Sequence, residues 1–191
     1  MMEIYFSKVK QVLTDIETTQ KEAMHKAADI CTEALFQGRR LFFFGTGHSH
    51  MLAEEPFYRA GGLKNITPIL ETGLMLHEGE VKSTALERLE GYADILLEHH
   101  GVSENDVLFV ISNSGVNAVP VEMALGAKRI GAKVIALTSL KHSRQMHPRH
   151  SSGKKLFEIA DLVLDNCGVY GDAAVELDQY PIMVFSQVVT S

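Results

Sequence analysis

Apolar residues recur every three or four positions from 3 to 37, among them Ile4, Val9, Val12, Ile16, Met24, Ala27, Cys31, Ala34 and Leu35, with polar residues between. This spacing predicts an amphipathic helix, either one long helix or two with a bend near Thr18-Thr19. Gly38 follows as its C-terminal stop. The stripe has two possible destinations, its own domain or a partner subunit. Leu41–Phe44 then reads as a continuous apolar strand, and "ITPIL" at 66–70 as a short one. Residues 49–60 read as a helix that Pro56 kinks or breaks, because proline lacks an N–H and clashes with the previous turn. Residues 71–83 read as a loop. Thr84–His100 reads as a helix with Leu86, Leu89, Ala93, Leu96 and Leu97 on one side.

The second half alternates more plainly. Val107–Ile111 and Lys133–Leu137 are apolar runs of strand length. Between them, residues 118–130 have helical periodicity, with Pro120 tolerated in the first turn. The polar stretch 138–155, rich in His and Arg, reads as a long connection, and long connections in compact domains often carry function. A short helix at 156–160, a strand at 162–164 and a turn region at 166–174 follow. Strands apolar on both faces and alternating with helices predict an α/β sandwich around a parallel sheet. No linker or repeat interrupts it, so 1–191 reads as one domain, a helical segment 1–38 leading into a core 39–191. After "PIMVFSQVVTS" one more amphipathic helix is expected to cover the sheet. The C-terminus therefore reads as truncated, or that face as covered by another subunit.

Two of the strands end alike. Leu41–Phe44 runs into Gly45-Thr46-Gly47-His48-Ser49-His50, and Val107–Ile111 into Ser112-Asn113-Ser114-Gly115-Val116-Asn117. Open parallel sheets bind ligands beyond the carboxyl ends of their strands. Glycines, hydroxyls and an amide at the start of a helix make a cradle for an anion, and phosphate oxygens suit it. Neither stretch is a nucleotide fingerprint: "GTGHSH" lacks the third glycine of G-x-G-x-x-G, and no G-x-x-x-x-G-K-[ST] occurs.

Composition narrows the partners. Net charge is −6, with no basic excess of the kind a nucleic-acid surface carries. No apolar run approaches the ~18 residues of a membrane span. The first residues carry charges and no apolar signal core. Two cysteines, Cys31 and Cys167, read as reduced thiols and not a disulfide framework. A cytoplasmic protein is expected.

"FFFGTGHSHMLAEE" and "VLFVISNSGVNAVPVEMALGAKRIGAKVIALTS" resemble the two motifs of SIS (sugar isomerase) domains, and most closely those of SIS proteins labelled phosphoheptose-isomerase-like. The resemblance covers about residues 5–175. It implies a three-layer sandwich with a flavodoxin-like five-stranded parallel sheet, a sugar phosphate as ligand, and a homodimer or homotetramer with sites at subunit interfaces. Ser49 matches the first-motif serine, with Gly47 and His48 beside it. Ser112, Ser114 and Gly115 match the second motif, with Asn113 between them. Asn117 stands where many members carry threonine, and Thr138 ends the next strand near the same pocket.

The implied activity is aldose–ketose isomerisation. It needs a base that moves a proton between C1 and C2, and often a second group to open the ring. Phosphoheptose isomerases and the related amino-sugar-phosphate etherases carry a glutamate ten residues after the first-motif serine. Here that position is Arg59. Glu55, Glu176 and His150 are therefore the candidate acid–base residues, with Glu54, His142 and His147 nearby. A lyase or etherase and a non-catalytic phosphosugar sensor stay open as alternatives. No cofactor is expected. Zinc has only a weak basis in the i, i+2 pair His48 and His50 followed by Glu54 and Glu55, because no H-x-x-x-H or C-x-x-C occurs.

Overall fold

A computed structural model describes residues 2–172, 174 and 175. Two helices lead, α1 (Met2–Thr19) and α2 (Lys21–Phe36). The expected bend falls at Gln20, whose side-chain oxygen accepts a hydrogen bond from the Asp165 N–H (3.0 Å). The sheet strands are β1 (Leu41–Gly45), β2 (Ile66–Ile69), β3 (Val107–Ile111), β4 (Lys133–Thr138) and β5 (Leu162–Asp165). All pair in parallel, in the order β2-β1-β3-β4-β5. Pro68 sits in β2, which pairs only with β1. That edge place is where a missing N–H costs least.

The strands are apolar throughout because both faces are covered. Phe42, Phe44, Leu108, Val110, Val134 and Ala136 pack on helices from one side. Those helices are α4 (Glu80–Glu87), α5 (Tyr92–His100), α6 (Ala118–Ile130) and the single turn α8 (Leu156–Ile159). Leu41, Phe43, Val107, Phe109 and Ile135 face the other way, onto Ala27, Ile30, Cys31, Ala34 and Leu35 of α2. Phe43 and Phe109 stack face to face on neighbouring strands, 4.5 Å between centroids. Burial in this layer pushes the Cys31 thiol up to about 11, so the thiol is protonated at neutral pH. None of the residues of α1 is buried.

Three expected elements differ. The helix expected over 49–60 is a 3-10 turn, Gly47–His50, followed by α3 (Met51–Glu54). Pro56 stops it there. The loop expected over 71–83 holds two 3-10 turns and the start of α4, and the helix expected over 84–100 is two helices. Gly91, at φ +87°, separates them as the N-cap of α5, and Leu89 in the break is 51% exposed. The long connection after β4 contains α7 (Leu140–Gln145), because the Ser139 hydroxyl caps it by accepting the His142 N–H (3.1 Å). Glu176 and the chain after it lie outside the described residues.

At the foot of the sheet Asp106 is buried. Its carboxylate accepts from the Arg40 N–H (2.9 Å), the Ser103 N–H (2.9 Å) and the Ser103 hydroxyl (2.7 Å). These bonds tie the entries of β1 and β3 together. Asp106→Ala leaves those donors without an acceptor, and a loss of about 1–3 kcal/mol is expected in urea unfolding.

Candidate functional site

Strand order reverses between β1 and β3: the chain leaves β1 toward one edge of the sheet and β3 toward the other, which opens a crevice between the two departures. Gly45 pairs with Ile111, so the two hydroxyl-bearing turns leave adjacent strands at the same level. The first turn folds back over its own strand. The Ser49 N–H donates to the Thr46 carbonyl (3.0 Å), and the Ser49 carbonyl lies against Gly45 so closely that any Cβ there collides with it. In the second turn Gly115 stands at φ +60°, its Cα facing Leu156, Thr138 and Ser143.

The nine residues expected to bind ligand divide by what their polar atoms already do. Ser49 and Ser114 are half-buried, and their hydroxyls make no hydrogen bond to the described residues. Gly47 opens the 3-10 turn at φ +55°, and His48 is exposed on it. The others brace the site. Ser112 Oγ accepts the Gly115 N–H (3.1 Å). The Thr138 hydroxyl, fully buried, donates to the Asn113 carbonyl (3.1 Å). Asn113 Oδ1 accepts from Asn166 Nδ2 (3.1 Å), which ties the second turn to the end of β5. Asn117 Oδ1 accepts from Arg149 Nη1 (2.9 Å).

Of the acid–base candidates, Glu55 and His150 lie among the described residues. Glu55 is exposed and ion-paired with Arg59. His150 joins another cluster. Its Nε2 lies 3.3 Å from Glu122 Oε1 and 3.8 Å from Glu90 Oε2, and its Nδ1 lies 2.8 Å from the Ser152 hydroxyl. The ligand atoms of Glu90, Glu122 and His150 all lie within 4.8 Å of one another, a grouping that a divalent cation fits. They are also joined without one. Both Glu122 oxygens accept the Gly91 N–H (2.8 Å each), and Glu90 accepts from the Ser151 hydroxyl and N–H (2.7 Å each). The Ser151 hydroxyl, then its N–H, hold the Glu90 carboxyl below its ordinary range.

Two further groups sit at the first turn: Glu87, which the sequence did not single out, and His50, weighed there only as half of a weak zinc pair. Thr46, buried, donates to Glu87 Oε1 (2.6 Å). The half-buried Glu87 carboxylate, on the last residue of α4, is thus held at the carboxyl end of β1. His50 is also buried, its Nδ1 on the Gly47 carbonyl and its Nε2 3.2 Å from Glu54, with the His77 ring edge-on at 5.3 Å. Glu87 had no sequence signal, since it lay inside an expected amphipathic helix with no motif around it.

Two outcomes are expected. Gly45→Ala forces the first turn off its strand and costs about 1–3 kcal/mol in thermal or urea unfolding. Glu90→Gln lowers Tm at neutral pH. The folded-state carboxyl is depressed, so its contribution is present above the unfolded value and lost as pH falls; the Tm gap between Glu90→Gln and wild type shrinks below about pH 4.

The model of the SIS domain family matches residues 4–139. A UPF0309 protein of Halalkalibacterium halodurans is 52% identical over 167 residues, covering 87% of this chain and 69% of its own. Among solved structures, a phosphoheptose isomerase from Francisella tularensis superposes with TM-score 0.60 at 21% identity, covering 86% of this chain and 82% of its own. The Vibrio vulnificus NanR protein complexed with ManNAc-6P superposes with TM-score 0.53 at 15% identity, covering 86% of this chain and 50% of its own. At these identities the structural likeness is one of fold. No helix among the described residues is long and apolar enough to cross a membrane. The family match over most of the chain and the 52% identical relative together establish that this chain belongs to the SIS domain family and to the UPF0309 proteins.

Proposed function

We propose that this protein binds a sugar phosphate where β1 and β3 end and interconverts its aldose and ketose forms, with Glu87 as the base. The observation that carries this is the register Gly45↔Ile111. It sets two turns side by side, each with a hydroxyl, Ser49 and Ser114, that nothing among the described residues occupies. A phosphate ester has oxygens for both, and the positive end of the 13-residue α6 favours its charge. The fold likeness to a phosphoheptose isomerase and to a protein solved with ManNAc-6P supports the same reading.

In this reading Glu87 takes the C2 proton of the open aldose while O1 gains a proton, which gives an enediol. Return of a proton to C1 and loss of the O2 proton give the ketose. Thr46 steers the carboxylate through its 2.6 Å hydrogen bond. His50, next to Ser49, braces the first turn through the Gly47 carbonyl and Glu54. Glu176 remains a candidate for the second acid–base group. The working form is taken to be a homodimer or homotetramer.

A phosphosugar sensor without turnover is the second reading. The observation that favours it is Arg59, which stands in the glutamate position and is committed to Glu55 on the surface.

A thermal-shift screen over pentose, hexose, heptose and N-acetylhexosamine phosphates, followed by turnover assays on the ligands that bind, separates these outcomes. Ligands at a hundredfold excess over Kd stabilise by about 2.7 kcal/mol, well within detection. Glu87→Gln is expected to lower kcat about 10²–10⁴-fold without loss of Tm. Full turnover in Glu87→Gln removes Glu87 as base, and Gln variants at Glu55 and Glu176 then assign it. Binding with no turnover in the wild type selects the sensor.

A further inference from the structure

The second turn has a cation beside it that the family pattern does not account for. Arg149 is exposed, in the connection between α7 and α8. Its N–H donates to the Val116 carbonyl (3.0 Å), which fixes its backbone alongside the turn. Its Nη1 donates to Asn117 Oδ1 (2.9 Å). Asn117 is the N-cap of α6, yet its side chain makes no capping bond. An asparagine at this place ordinarily turns its oxygen to the helix N–H groups. Here the oxygen goes to the guanidinium instead.

Arg149 differs in its company from three other arginines, although Arg39, Arg88 and Arg144 likewise have no carboxylate within ion-pair distance among the described residues. The guanidinium groups of Arg40, Arg59 and Arg129 each lie against a carboxylate, Asp106, Glu55 and Asp94. Arg149 has a neutral amide as its side-chain partner and no carboxylate within ion-pair distance among the described residues. One Nη1–H is used, and nothing among the described residues takes up the rest of the five-donor planar fork. The two residues that follow are held as well: His150 reaches Glu122, and Ser151 reaches Glu90. A cation held this way loses little freedom when an anion arrives.

We propose that Arg149 is a phosphate-contacting residue of the second turn and that Asn117 is its positioning residue, so that the pair serves where a threonine hydroxyl would otherwise stand. The ligand class is a phosphate monoester dianion, whose oxygens match the guanidinium fork. Ser114 supplies the neighbouring hydroxyl. The inference rests on the phosphosugar reading above and deepens it, since it names what recognises the phosphate.

The test is isothermal titration of the full chain with the best sugar phosphate from the screen, with its unphosphorylated sugar, and with inorganic phosphate. The variants are Arg149→Gln, Arg149→Lys, Asn117→Ala and the Gln–Ala double. Arg149→Gln is expected to weaken sugar-phosphate binding about ten- to a hundredfold, the loss of one charge-assisted contact. It should also flatten the dependence of Kd on salt. Arg149→Lys keeps the charge but not the fork and should recover part of the affinity. Asn117→Ala should weaken binding in the same direction, and the double variant should lose no more than Arg149→Gln alone. Unchanged Tm in Arg149→Lys guards against a folding defect. If the wild type binds a sugar phosphate and Arg149→Gln binds it with the same Kd and salt slope, the inference is overturned while the phosphosugar reading stands. If the wild type binds none of the panel at millimolar concentration, the reading itself falls and this inference with it.

Discussion

The parallel pairing of β1 with β3 is the constraint on which the rest of the molecule depends. Both strands are apolar on two faces, so each must lie inside the sheet with helices above and below. Their chain connections run to different neighbours, β1 to β2 on one side and β3 to β4 on the other. The end of that shared ladder is the place where two turns open next to each other with no crossover between them. Asp106 locks the entry end of the ladder, and Gly45 allows the exit end to turn sharply. If either strand slipped by one residue, its faces would exchange and the two turns would no longer meet.

Around that opening the polar groups form two sets. One set is spent on the protein: Ser112 on Gly115, Asn113 on Asn166, Thr138 on Asn113. Buried polar atoms must be paired, and these pairs fix the shape of the second turn. The other set, Ser49 and Ser114, has no protein partner for its hydroxyls among the described residues. A rigid frame with a few uncommitted donors is what a small anionic ligand needs, because the frame has been ordered before the ligand arrives.

The segment 87–91 links the first turn to α6 and to the connection between α7 and α8. Glu87 holds Thr46 of the first turn, Glu90 holds Ser151, and Gly91 meets Glu122, which also contacts His150. The break between α4 and α5 therefore has a structural use. A continuous helix over 84–100 would carry Glu87, Glu90 and Gly91 along one straight axis, whereas here they meet Thr46, Ser151 and Glu122. The exposed side of Leu89 follows from the same break.

The succession of strands, the two hydroxyl-bearing turns and the boundaries of β3 and α6 were legible in the residues. Buried parallel strands have an unbroken apolar signature, and glycine and hydroxyl turns at their ends are local features. The break at Pro56 was legible because proline acts through its own backbone. Which polar side chains are already paired within the protein was not legible. Ser112, Ser114 and Asn117 belong to one motif, yet only the contacts each makes in the folded chain separate the free hydroxyl from the two braced groups. Glu87 and Arg149 carry no motif, so their contacts with Thr46 and Asn117 could not be read from the residues. Sequence specifies periodicity and turn chemistry because those act within a few residues of one another. The tertiary structure alone decides which charges meet, because Thr46 and Glu87, or Asn117 and Arg149, become neighbours only after the sheet has closed its register.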